Sequence, residues 1–236
     1  MEGFSKIDIF DTKGIEYIFV IGYLLILIVF WKFSSKQVTK KIQKVIGNLS
    51  DKILNIPQGL FYNQTHTWSF LEKSGNAKVG LDDFLQHITG KIEFSMLKNV
   101  GEKIKKGELL TIIEQNGKQL RIFSPISGEV INTNYMLAEN PELLNDDPYD
   151  AGWIYQIKPK NWIAETSGYF LAEEATKWSR KELDRFKAFV MGSPMNKYAA
   201  EPVLMVLQDG GELRDNILTE LPKEVWDDFQ AEFLNV

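Results

Sequence analysis

Between Leu60 and Pro159 the chain is cut into short apolar stretches by glycine, proline and asparagine, at intervals that leave room for β-strands but not for long helices. The turns are Ser74-Gly75-Asn76, Asn99-Val100-Gly101, Lys106-Gly107, Asn116-Gly117 and Ser127-Gly128. They delimit predicted strands at Trp68–Glu72, Ala77–Gly80, Lys91–Phe94, Leu109–Glu114, Leu120–Phe123 and Val130–Thr133, with a short helix over Asp82–Ile88. Asn116-Gly117 is the clearest signal, because this dipeptide supplies positive φ at both central positions of a two-residue hairpin loop. Gln115 and Lys118 are then the flanking pair.

A chain of 236 residues that is 44% hydrophobic can bury a core of this kind. Its 32 acidic and 27 basic residues leave a net charge of −5, so no nucleic-acid partner is expected. The absence of cysteine excludes disulfides, thiolate nucleophiles, zinc ribbons and thiolate-held clusters. With only His66 and His87, no metal site is predicted. The glycines fit neither phosphate-loop spacing, no nucleophile elbow occurs, and the carboxylates are scattered. No catalytic residue is assigned, and the chain is not expected to be an enzyme.

The ordered blocks of this region carry a resemblance. They are His66-Thr67-Trp68, Val79-Gly80-Leu81-Asp82-Asp83-Phe84, Gly90-Lys91-Ile92-Glu93-Phe94, Val100-Gly101-Glu102 with Lys106-Gly107-Glu108, and Ser124-Pro125-Ile126-Ser127-Gly128-Glu129-Val130. The last runs from Asn140-Pro141-Glu142 to Asp147-Pro148-Tyr149, followed by Gly152-Trp153. From Phe61 to Pro159 the chain resembles the H protein of the glycine cleavage system. The resemblance implies a β-rich barrel-sandwich hybrid of the lipoyl type over 59–159. It also implies a lysine on a hairpin tip that carries lipoate in amide linkage. Counting back from Ser124-Pro125, that position holds Gly117, and Lys118 stands one residue late. A shift of one residue redirects a side chain on a strand. Gln115, Gln119 and Leu120 also replace the small and acidic residues usual around the acceptor. Glu114 matches a family glutamate beside the lipoyl site and is read here as a charged residue at a strand end. His66 is read as a partly buried, hydrogen-bonding residue near Trp68. No bound cofactor is expected, with lipoate on Lys118 as the alternative.

Ahead of this region, Tyr17 to Trp31 carries no charge, and extending it to Ile15 and Phe33 gives about 28 Å of helix. Glu16, Tyr17, Trp31 and Lys32 flank it as membrane-interface residues would. The expected division is a tail over 1–14, a transmembrane helix over 15–33 and an amphipathic stalk helix over 34–58. Six lysines (32, 36, 40, 41, 44, 52) against Asp51 place the C-terminal side in the cytoplasm, predicting a single-pass protein of the bacterial inner membrane with its N-terminus outside. The same lysines could attract anionic lipid.

Beyond Pro159 lies an extension, 160–236, with an amphipathic helix over Phe170–Met191, a strand over Pro202–Leu207 and a last helix beginning at Pro222. From Asp209 to Val236 eight acids stand against two bases. Trp162, Trp178, Trp226, Phe229 and Phe233 either pack on the β domain or form a face that docks a partner. The fold class is thus a single transmembrane helix plus an α+β unit, a barrel-sandwich hybrid followed by a mixed helical extension. The functional expectation is an unlipoylated accessory or scaffold subunit of a bacterial membrane respiratory or oxidoreductase complex, with the membrane and other subunits as partners. The alternatives are a lipoyl carrier using Lys118 and a lipid-binding module using the lysine-rich stalk.

Overall fold

The computed structural model describes residues 17, 19–27, 48–49, 54–192 and 213–235, and the chain divides into two compact units, 1–45 and 46–236. In the first unit, residues 17 and 19–27 are helical. The transmembrane helix expected over 15–33 is overturned: among the described residues no helix is long and apolar enough to cross a membrane. With the span goes the expectation of a single-pass inner-membrane protein. Tyr17 is exposed, while Glu16, Trp31 and Lys32 lie outside the described residues.

The second unit is built on antiparallel strands. Its larger sheet has the order β2-β3-β4-β10-β9-β6, formed by Phe61–Tyr62, Thr67–Leu71, Ala77–Leu81, Tyr155–Pro159, Gly128–Thr133 and Lys103–Ile104. A second sheet has the order β5-β7-β8, formed by Glu93–Met96, Leu109–Gln115 and Lys118–Phe123. The six strands predicted between Leu60 and Pro159 are all present within about two residues at their ends. The central β10 was not predicted, because a stretch closing on Lys158-Pro159 lacks a full alternating pattern; it pairs with both β4 and β9. The predicted helix is Asp83–Thr89, with the Asp82 side chain accepting from the Leu85 amide at 2.9 Å as its N-cap.

A third, two-stranded sheet joins Asn48–Leu49 (β1) to Leu213–Arg214 (β11). These residues of the expected stalk helix are therefore extended, since the last part of the chain offers them a ladder partner and Asn48 follows a glycine. Residues 34–47 and 50–53 of that stalk and the strand expected over 202–207 lie outside the described residues.

The extension opens with a small helix, Trp162–Thr166, and a long one, Ala172–Gly192. After β11 come a 3₁₀ turn over Ile217–Glu220, a helix over Lys223–Phe229 and a π-helical turn over Gln230–Leu234. Their buried side chains join one continuous core with the β domain. Val79 and Leu81 of the larger sheet, Leu110, Ile113 and Leu120 of the smaller one, and Phe186, Val225, Trp226 and Phe229 of the extension all belong to it. Phe186, Phe189, Phe229 and Phe233 form a ring cluster, the tightest pair stacking at 4.7 Å between centroids. Each such pair adds about 1 kcal/mol beyond the area it buries. A smaller cluster gathers Leu60, Tyr62, Trp68, Ala175 and Trp178.

Candidate functional site

The β7–β8 hairpin turns as its sequence requires. Asn116 and Gly117 have φ of 50° and 77°, and Gln115 pairs directly with Lys118. Gly117 is exposed at the tip, with nothing within 4 Å of where a Cβ would stand. Lys118 does not point to solvent. Its ammonium donates to the carbonyls of Thr219 at 2.7 Å and Leu221 at 3.0 Å, and lies 5.2 Å from the Trp226 ring centroid. Trp226, fully buried, is held in turn by its Nε1–H donating to the Leu218 carbonyl at 2.7 Å. Burial lowers the Lys118 pKa from its usual value.

The outer edge of β8 is covered by the same segment. The Arg121 amide donates to Gln230 Oε1 at 2.6 Å, and Gln230 Nε2 donates back to the Arg121 carbonyl at 3.2 Å. Glu114, one strand over, accepts from Gln119 Nε2 at 2.8 Å. Gln115 Nε2 ties the loop to the carbonyls of Thr89 and Lys91, each at 2.8 Å.

Amide formation at Lys118 Nζ would neutralise the ammonium and leave one N–H where there are three. That removes the cation–π contact and at least one carbonyl bond. A lipoyl amide therefore does not fit Lys118 in this arrangement.

Two histidines are buried at the helix that supports the hairpin, His66 beside it and His87 within it. His66 adopts a φ of 57°, and its Nδ1 lies 2.8 Å from Asp82 Oδ2 while its Nε2 faces Glu182 Oε1 at 3.7 Å. Its ring stacks on Phe84 at 4.5 Å. His87 Nδ1 lies 2.6 Å from Asp215 Oδ1 and Nε2 lies 3.3 Å from Asp83 Oδ2. Burial opposes a charged ring at both sites, but the paired carboxylates outweigh it and lift each imidazole to about 9. Both are thus imidazolium at neutral pH. Among the described residues no group of three or more histidines and carboxylates is arranged to hold a metal ion.

The aromatic residues singled out for docking are inside. Trp226, Phe229 and Phe233 are in the main core, Trp178 in the smaller cluster, and Trp162 is half-buried edge-on to Phe61 at 5.2 Å. The residues that sequence reasoning missed are Thr219, Leu221, Gln230, Glu182 and Asp215. Their partners lie about a hundred or more positions away, and no local pattern marks them.

Residues 60–182 match the family described as glycine cleavage H-protein. The chain belongs to that family. Among curated relatives, it is 38% identical over 119 residues to the probable glycine cleavage system H protein of Pyrococcus abyssi, covering 50% of this chain and 88% of that protein. It is 35% identical over 108 residues to the glycine cleavage system H protein of Thermus thermophilus, covering 46% and 84%. Among solved structures, the H protein from Mycobacterium marinum aligns with a TM-score of 0.47 and 25% identity, covering 52% of this chain and 98% of that one. H proteins are a lipoyl-carrier family, not catalysts in themselves. The H-protein match runs past Pro159 to residue 182, so it takes in the first half of the long helix and ends on Glu182. Thr219, Leu221, Trp226 and Gln230, which cover the hairpin, and Asp215, which meets His87, all lie outside it.

Proposed function

We propose that this H-protein-family chain serves as an unlipoylated binding module, an accessory or scaffold subunit of a larger assembly, in which the hairpin is a docking element and not the base of a swinging arm. The observation that carries this reading is the placement of Lys118: its ammonium is bound by the carbonyls of Thr219 and Leu221 over the Trp226 ring. Gly117 at the family's acceptor position removes the lysine expected there, and the neighbouring lysine is engaged by the chain's own extension. Other protein subunits are the partners this reading calls for.

Family membership favours a second reading, a lipoyl carrier that uses Lys118 after the extension withdraws. Intact mass of the protein purified from its native host, with a peptide map across Leu109–Phe123, separates the two. An unmodified Lys118 in a protein that co-purifies with other subunits in fixed ratio supports the module. A lipoyl increment on Lys118 overturns it.

A further inference from the structure

We propose that Asp82–His66–Glu182 and Asp83–His87–Asp215 form a two-point clasp that fastens residues 213–235 over the β7–β8 hairpin, and that opening this clasp exposes Lys118 and the β8 edge. The proposal rests on reading the extension as the hairpin's own partner. Its starting point is the dipeptide Asp82-Asp83 at the head of the Asp83–Thr89 helix, which gives one carboxylate to each histidine. The second carboxylate comes each time from the extension side, Glu182 for His66 and Asp215 for His87.

The two bridges grip opposite ends of the covering segment. At its beginning, Asp215 meets His87 Nδ1, and the next residue reinforces the contact, the Asn216 amide donating to the His87 carbonyl at 2.6 Å. Asn216 takes a left-handed φ of 62° to do so. Thr219 and Leu221, which hold Lys118, follow only four and six residues after Asp215. At the other end, Glu182 accepts from Arg185 Nη1 at 2.7 Å, and Arg185 Nη2 donates to the Glu232 carbonyl at 2.6 Å. The Arg185 guanidinium also lies over the Phe233 ring at 4.2 Å. The path from His66 through Glu182 and Arg185 therefore ends on the π-helical turn whose Gln230 covers β8.

The charged groups facing His66 are Asp82 and Glu182, with Arg185 behind Glu182; those facing His87 are Asp83 and Asp215. All four carboxylates and both rings are buried or nearly so, where removing one member of an ion pair leaves its partner uncompensated. The apolar contacts of Trp226 and Phe229 attract without direction, whereas the His87–Asp215 hydrogen bond and the Arg185 fork between Glu182 and Glu232 fix where each end of the segment lies; His66 Nε2, which makes no hydrogen bond, acts on Glu182 by charge across 3.7 Å.

The test uses the full chain and competitive acylation by an acetyl N-hydroxysuccinimide ester at pH 7.5, read by peptide mass mapping. The exposed Lys181 is the internal reference. In the wild type, Lys118 is expected to react at least ten-fold more slowly than Lys181. In Asp215→Asn, and independently in Glu182→Gln, that ratio rises at least ten-fold. Hydrogen exchange then accelerates over 217–234 while β3, β4 and β10 keep their protection. Unchanged Lys118 reactivity with 217–234 still protected in both variants overturns the clasp. So does a loss of protection across β3, β4 and β10 in both, since the bridges would then hold the whole unit and not the cover. Wild-type Lys118 reacting as fast as Lys181 overturns the docked hairpin and the clasp together. A lipoyl increment on native Lys118, with release in the two variants as expected, overturns the non-carrier reading and leaves the clasp standing.

Discussion

Raising the pH should unfold this protein from a direction in which most domains are insensitive. His66 and His87 both have pKa values lifted from 6.5 to about 9 by buried carboxylates. The folded chain therefore keeps two protons that the unfolded chain releases above about 6.5. Their contribution to stability is complete below that value and is lost as pH rises through about 9. At about 1.4 kcal/mol per pKa unit, each ring contributes on the order of 3 kcal/mol, and the pair up to about 6 kcal/mol. Set against a typical total of about 5–15 kcal/mol, that is a large share. Between pH 7 and 9 the unfolding free energy should fall, most steeply near pH 8 at about 2.4 kcal/mol per unit. Urea unfolding followed by tryptophan fluorescence at half-unit intervals measures it. A His87→Gln variant should halve that maximal slope to about 1.2 kcal/mol per unit. Stability that is level or rising from pH 7 to 9 would refute the assignment of both rings as buried imidazolium. Glu182 adds a limb on the acid side: burial raises its pKa, but His66 and Arg185 prevail and bring it below the usual value, so its contribution is lost as pH falls through the carboxylate range.

Two substitutions probe the packing behind the site. Gly80→Ala would place a Cβ 2.6 Å from Trp68 Cζ2, against an indole that is fully buried and anchored to the Pro148 carbonyl at 3.1 Å. The expected cost is about 1–3 kcal/mol, seen as a drop of several degrees in Tm, and an unchanged Tm would contradict the close approach. Lys118→Met keeps most of the aliphatic stem but loses two carbonyl bonds and the contact with Trp226, so about 2 kcal/mol of stability should go, and hydrogen exchange at 217–229 should quicken. Exchange rates equal to wild type there would show that the lysine does not hold the segment.

What could be read along the chain was whatever is decided within a few residues. Asn116-Gly117 specifies its turn because both backbone φ values must be positive, and the hairpin register follows. Asp82 marks its helix because an N-cap bonds three residues ahead. The block from Asn140 to Trp153 carried the family. The transmembrane reading, drawn from an uncharged run, its flanks and the lysines after it, is overturned, and β10 was missed because its status as a central strand comes from two neighbours distant in sequence. The site itself was half visible. Gly117 and Lys118 were found by counting along a strand, whereas the carbonyls that bind Lys118 lie 101 and 103 positions away. His66 is legible as a hydrogen-bonding residue near Trp68, but the carboxylates at 182 and 215 that face the two histidines are not, because they come from elements whose placement no local rule dictates.

The Gln230 amide paired with the Arg121 backbone has a consequence for colloidal behaviour. β8 is an outer strand, and an outer strand with unmet amides and carbonyls is a template on which another chain can lay a strand of its own. A primary amide presents the same donor and acceptor as a peptide group, so Gln230 ends the sheet as one residue of a neighbouring strand would, without offering a further edge. The turn over Gln230–Leu234 thereby occupies, at Arg121, the edge on which another chain could lay a strand, with a side chain a hundred residues downstream of the edge it meets.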